Sequence, residues 1–117
     1  MIRRISTQCA SKPEIYHLAP EKRVDGDPEQ RLWAQYTDPT GKFFAGVWES
    51  DPGIWRIRYT EEEYCRILDG RSVITAADGT ATVVGPGDEF VIPRGFVGTW
   101  QVLERTRKTY VIYEAGE

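Results

Sequence analysis

From Arg31 onward the chain reads as short runs of apolar, aromatic and β-branched residues separated by turn residues. The runs are "RLWAQYT", "KFFAGVWES", "IWRIRYT", "EYCRIL", "RSVITAA", "TATVV", "DEFVI", "FVGTWQVL" and "TYVIYE", and the breaks are "DPTG", "DPG", "DG", "DG", "GPG" and "PRG". Residues that favour a pleated surface, with polar and apolar positions alternating, predict strands at the spacing of a sandwich or barrel. Asp69-Gly70 and Asp78-Gly79 each join two runs and fit two-residue hairpin turns, which need positive φ at their centre. In Gly85-Pro86-Gly87-Asp88, Pro is second and Gly third, as a type II turn demands. One segment, "EEEYCRIL", admits a helix, since Tyr64, Ile67 and Leu68 fall at i, i+3 and i+4. It would be barely two turns long with β runs on both sides, and an isolated helix that short is marginal. A strand is the reading adopted.

The first thirty residues break this pattern. Pro13, Pro20 and Pro28 punctuate them, and "EKRVDGDPEQ" reads as a solvated loop. Ile15, Tyr16 and Leu18 give the segment something to bury, which favours an arm laid over the barrel or over a second subunit; a disordered tail is the alternative. The expected division is an arm over residues 1–30 and an all-β barrel over residues 31–117.

Composition narrows the class. A chain of 117 residues suits one domain, and 40% hydrophobic and 12% aromatic residues argue against disorder. The net charge is −3 with no basic run, so the electrostatic footprint of a nucleic-acid binder is missing. No apolar stretch approaches the length of a membrane helix, and the start "MIRRISTQCASKPEIYH" carries no apolar signal core. A cytoplasmic location is the default expectation. Cys9 and Cys65, without CxxC spacing, are read as two free thiols.

The segments "GVWES-PG-W-I-Y-EEYC-ILDG" and "GPGDEFVIPRGFVGTW" resemble the cupin superfamily. Its second motif reads G, five residues, P-x-G, two residues, H, three residues, N. Gly87, Pro93 and Gly95 match, while the histidine position falls on Gly98 and the asparagine position on Val102. Its first motif reads G, five residues, H-x-H, three or four residues, E, six residues, G. Glu63 and Gly70 match its end, and the histidine positions fall on Ile57 and Tyr59, or on Arg56 and Arg58. The finer likeness, over residues 44–114, is to the small single-domain cupins grouped with the ureidoglycine aminohydrolase cupin domain. The resemblance implies a jelly-roll barrel, also called a double-stranded β-helix. It also implies a homodimer, since cupins frequently pair through exchanged N-terminal strands.

Strand period two sorts the side chains. Trp55, Ile57 and Tyr59 share one face; Arg56 and Arg58 share the other, toward solvent or a partner. The superfamily's glutamate points into the barrel, which carries Cys65 and Ile67 inward with Glu63. Trp100 shares a face with Gly98 and Val102. Trp48, and Tyr110 or Tyr113, are further inward candidates. The expected cavity is thus lined by Trp48, Trp55, Tyr59, Glu63, Cys65, Trp100 and Tyr110, although the same aromatics would equally serve as plain core.

Glu63 is the sharpest candidate for chemistry. In an aromatic pocket without a cation, desolvation would favour its protonated form, suiting a general acid or base. The competing reading is a rim glutamate, solvated within Glu61-Glu62-Glu63 or paired with Arg56, Arg58 or Arg66. Cys65 as a nucleophile would need a histidine, a cation or a helix N-terminus nearby; a buried small hydrophobe is the simpler reading. The one histidine, His17, cannot build a His-rich metal site, and it is read as a surface or interface residue. An all-oxygen site from Glu61, Glu62, Glu63, Asp88 and Glu89 is disfavoured because alternating faces keep them apart. No cofactor is expected. The sequence therefore suggests a metal-free cupin that binds a small polar or planar molecule. The alternative is an enzyme, ureidoglycine aminohydrolase-like or otherwise, using Glu63 as metal ligand or as acid and base. A structural or ligand-sensing dimer is a third possibility.

Overall fold

The computed structural model describes residues 1–116, and its described residues form nine β-strands. They are β1 (Glu14–His17), β2 (Arg23–Asp25), β3 (Glu29–Thr37), β4 (Phe43–Ser50), β5 (Gly53–Arg58), β6 (Glu62–Ala76), β7 (Ala81–Val84), β8 (Glu89–Ile92) and β9 (Val97–Tyr113). A 3₁₀ turn, Pro20–Lys22, precedes β2.

Two long bent strands organise the rest. β6 and β9 pair antiparallel from Glu62↔Tyr113 to Ala76↔Gly98, and the register shifts between Ile67 and Ser72. The second half of β9 also pairs with β4, from Phe43↔Tyr113 to Ser50↔Thr106, and beyond β4 lie β3 and β1. The first half of β9 pairs instead with β5, and beyond β5 lies β2. β8 and β7 flank the two halves of β6. The bend curls the sheet on itself, so apolar side chains from both halves meet inside, among them Trp48, Trp55, Ile67, Ile74, Val84, Ile92, Trp100, Val102 and Tyr110. This is the all-β jelly roll expected from the sequence.

Several local expectations are corrected. "EYCRIL" and "RSVITAA" are one strand, and "FVGTWQVL" and "TYVIYE" are another. Asp69-Gly70 is accordingly no hairpin but part of the bend in β6. Gly70 has φ +86°, and a Cβ there would lie 1.9 Å from the carbonyl oxygen of Arg105. The bend brings the two backbones that close only because this residue has no side chain. Asp78-Gly79 does turn the chain, but the Ala76 amide bonds the Thr80 carbonyl, leaving three residues in the loop. Gly79, at φ +93°, supplies the left-handed position of that turn. The type II turn at Gly85-Pro86-Gly87-Asp88 is present: the Asp88 amide bonds the Gly85 carbonyl at 3.0 Å, and Gly87 has φ +89°.

The first thirty residues are not irregular throughout. Glu14–His17 adds to β3, and Arg23–Asp25, inside the expected loop, pairs with β5. Further upstream, the Trp33 indole N–H donates to the Ser11 carbonyl at 2.8 Å, and the Ser6 backbone exchanges two hydrogen bonds with the Gln35 side chain. No helix among the described residues is long and apolar enough to cross a membrane.

Candidate functional site: an aromatic cavity around a buried ion pair

Between the two halves of the curled sheet lies a cavity of about 660 Å³. Its floor is built by β4, β5, β6 and β9; Arg56 and Arg58, expected to face away from the barrel, also reach its lining. Trp48, Trp55, Tyr59, Glu63, Trp100 and Tyr110 all line it. Tyr113 lies on the opposite face of β9 and is 48% exposed, whereas Tyr110 is 4% exposed. Cys65 shares the face of Glu63 and is fully buried, but it packs behind the cavity wall and does not line it.

At the centre sits a charged residue that the sequence reading passed over. The Lys108 ammonium lies 2.9 Å from Glu63 Oε2, and both side chains are almost wholly buried. The Tyr59 hydroxyl donates to Glu63 Oε1 at 2.5 Å. Lys108 Nζ also stands 4.7 Å from the Trp48 ring centre and 4.3 Å from that of Trp100. The cation is thus held by one carboxylate and two indole faces, an arrangement whose cation–π part strengthens on desolvation.

The expectation of a carboxylate without a cation therefore fails, and the partner is none of Arg56, Arg58 or Arg66. The signal was present in the chain: on a strand, Lys108 must share the inward face of Tyr110. Of the three consecutive glutamates only Glu63 is buried. Glu61 accepts from the Thr60 amide, and Glu62 accepts from the Arg94 amide. Asp88 accepts from the Gly85 amide and Glu89 from the Tyr64 hydroxyl, so these oxygens do not converge.

Electrostatics follow from this packing. Burial pushes the Tyr59 phenol well above its ordinary range, and the adjoining Glu63 adds to the effect against the opposing pull of Lys108. Burial likewise pushes the Cys65 thiol up to about 12 and the Tyr110 phenol up to about 12. Lys108 is pulled down by burial, but the acidic groups Cys65, Glu63 and Tyr59 around it outweigh that and hold it above its ordinary value. At neutral pH the cavity floor holds the ammonium–carboxylate pair and neutral phenols, with the neutral Cys65 thiol behind it. Neither Cys65 nor Lys108 is a free nucleophile in that state.

The arm supplies one wall. Tyr16 and Leu18 line the cavity, and the Trp48 indole N–H donates to the Tyr16 hydroxyl at 3.1 Å and, more weakly, to Gln30 Oε1 at 3.4 Å. Gln30 in turn donates to the Ser50 hydroxyl. Within this network one donor is left over: the Trp100 indole N–H is buried with no partner among the described residues. His17 lies outside the cavity, bonded to Asp27 at 3.0 Å.

The donors do not fit a metal ion. Among the described residues no group of three His, Cys, Asp or Glu side chains is placed to hold one. The oxygens of Glu63 are taken by Lys108 and Tyr59, so the ammonium already occupies the electrostatic role of a cation there. At the histidine position of the second motif, a Cβ on Gly98 would come within 2.0 Å of the Thr75 carbonyl oxygen. The β6 backbone occupies that space, so no larger residue fits without moving the strand.

Comparison with known proteins places this geometry in context. The family model of the EutQ-like cupin domain matches residues 37–110. Among solved structures, a Pseudomonas syringae pv. tomato protein of unknown function from the DUF861 family superposes with a TM-score of 0.83 at 21% identity. That match covers 92% of this chain and 46% of the other. The EutQ protein of Clostridium difficile gives a TM-score of 0.67 at 21% identity, covering 75% of this chain and 64% of that one. A DUF861-family protein from Thermotoga maritima is 36% identical over 55% of this chain and 73% of its own, with a TM-score of 0.54. The first two likenesses are likenesses of fold, and this chain spans about half the length of the Pseudomonas protein. No curated protein matches.

Proposed function

From the premise that this chain belongs to the EutQ-like cupin domain family, we propose that it binds a small, planar or polar molecule in the barrel cavity and performs no metal chemistry there. The observation that carries this reading is the buried Glu63–Lys108 pair at 2.9 Å, facing a cavity of about 660 Å³ instead of packed core. A buried ion pair is a weak source of stability, since desolvating both charges offsets most of their attraction. Its value here is orientation: apolar walls with a few fixed polar groups are the usual composition of a ligand site.

The ureidoglycine aminohydrolase-like alternative has less support. It calls for a metal held through Glu63, and that carboxylate is already engaged by Lys108 and Tyr59. In the same arrangement each Glu63 oxygen already accepts from Lys108 or Tyr59, so a substrate proton would have to compete with those partners. Elemental analysis of the purified protein is expected to find no stoichiometric transition metal; a bound ion would restore the enzymatic alternative.

The binding reading is tested with a panel of small planar compounds, neutral, anionic and cationic. Binding is followed by the fluorescence of Trp48, Trp55 and Trp100, which all line the cavity. Hits are expected to disappear in Ile57→Trp, which fills the cavity from β5. Leu32→Trp, filling it from β3, serves should the first variant fold poorly. A panel with no compound sensitive to either variant overturns the reading.

A further inference from the structure

The polar groups of the cavity are unevenly divided between donors and acceptors. Inside, Glu63 accepts from both Tyr59 and Lys108, and Gln30 Oε1 accepts from Trp48. What remains unmatched is a donor, the buried Trp100 N–H, beside an ammonium that has three hydrogens and one carboxylate partner. At the mouth the same sign prevails. Arg58 and Lys22 line the cavity, are exposed, and form no ion pair among the described residues. Arg56 donates only to the backbone carbonyls of Glu21 and Arg23, which leaves its charge uncompensated. The same lining holds Glu21 and Glu61; Glu61 already accepts from the amide and hydroxyl of Thr60, while the Glu21 carboxylate has no partner among the described residues. The lining thus carries four cations against three carboxylates, in a chain whose net charge is −3.

We propose that the ligand of this cavity is a small organic anion, a planar carboxylate whose body lies against Trp55, Ile57 and Phe44 and whose charge meets Arg58 and Lys22 at the mouth. The proposal rests on the binding reading above. A cationic ligand would face Lys108 inside and three cations at the mouth, with the Glu21 carboxylate as its one unengaged partner. A neutral ligand could accept hydrogen bonds from the two mouth cations but would gain no charge pairing from them. A carboxylate gains charge-assisted hydrogen bonds from them, roughly twice as strong as neutral ones. Because Arg58 and Lys22 are solvated, that gain is exposed to screening by salt.

The test is calorimetric titration of the full chain at low salt with three probes of one shape: benzoate, benzamide and benzylammonium. Benzoate is expected to bind about tenfold more tightly than benzamide, with benzylammonium weakest. Added sodium chloride should erode the advantage of benzoate and leave benzamide unchanged. The double variant Lys22→Gln/Arg58→Gln, altered only at exposed positions, should abolish the advantage and keep benzamide binding. Equal affinities for benzoate and benzamide, or a neutral or cationic compound binding while benzoate gives no heat, overturn the anion assignment and leave the cavity reading intact. No heat from benzoate together with an empty compound panel overturns both.

Discussion

Lys108 and Glu63 depend on each other because both are almost wholly shielded from water. Lys108→Met leaves a buried carboxylate with a phenol but no cation, and such a break is expected to cost about 3–5 kcal/mol. Lys108→Met/Glu63→Gln removes both charges and keeps an acceptor for Tyr59, so urea denaturation should show most of that loss restored. A Lys108→Met variant as stable as the parent contradicts the pairing. The protonated groups behind the pair give a second handle. Cys65 titrates at about 12 in the folded protein against an ordinary 9.0, and Tyr110 at about 12 against 10.0. Over those intervals the native state holds protons that the unfolded chain has released, so stability falls as pH rises. The contribution is whole below about pH 9 and is lost progressively toward about pH 12. Alkaline titration followed by circular dichroism should show destabilisation starting near the ordinary thiol range. At pH 8 a thiol reagent should label partly exposed Cys9 in the native protein and reach Cys65 only on unfolding. At this scale alternation and apolar character place Trp55 inward, and alternation combined with the cupin resemblance places Glu63 and Trp100 there. It implies Lys108 as well, but a lysine between polar neighbours in "RTRKTY" reads as surface until Tyr110 is known to point inward.

From Arg31 onward strand identity was legible in the chain, and strand continuity was not. Apolar alternation marks "EYCRIL" and "RSVITAA" as strands, but Asp-Gly between them has the chemistry of a hairpin. What overrides it is tertiary: β9 runs alongside both segments and keeps pairing through the bend. A turn dipeptide specifies a positive φ, and both a hairpin and a bulge can use one. The two Asp-Gly sites therefore make a controlled comparison. Gly79→Ala meets nothing within 4 Å and should cost only the left-handed backbone penalty, about 1–2 kcal/mol. Gly70→Ala has a comparable φ, and its Cβ would also fall 1.9 Å from the Arg105 carbonyl, a backbone atom that cannot swing aside. Thermal unfolding should rank Gly70→Ala well below Gly79→Ala; equal losses would mean that the bend does not depend on that close approach. Gly98→Ala, with the Thr75 carbonyl 2.0 Å from its Cβ, belongs with Gly70→Ala. That constraint also explains why the cupin histidine position is empty of chemistry here, which the motif alone could not reveal: it shows which residue is absent but not that another backbone fills the space.

The whole molecule sets how the cavity is closed, because one of its walls comes from the segment that precedes the barrel in sequence. Tyr16, Leu18, Glu21 and Lys22 line it from that side. They are held by the four-residue pairing of β1 with β3, by the Trp48–Tyr16 hydrogen bond, and by Arg23 and Arg56 donating to backbone carbonyls between Leu18 and Arg23. None of these belongs to the β6–β9 pairing on which the fold rests. Edge segments with few buried contacts open at lower free energy than the core they cover. Deleting residues 1–18 is therefore expected to leave the strand signal in far-UV circular dichroism, lower Tm by several degrees, and shift tryptophan emission to the red as Trp48 meets water. Loss of that wall should also weaken every ligand of the cavity regardless of charge, unlike Lys22→Gln/Arg58→Gln, which acts on carboxylates alone. Light scattering on the same pair of proteins examines the homodimer that the cupin resemblance implies: exchange of the arm requires a full-length dimer and a truncated monomer. Unchanged emission and unchanged binding in the truncated chain would show that the barrel shapes its cavity without the arm, and the ligand would then have to be accounted for by β4, β5, β6 and β9 alone.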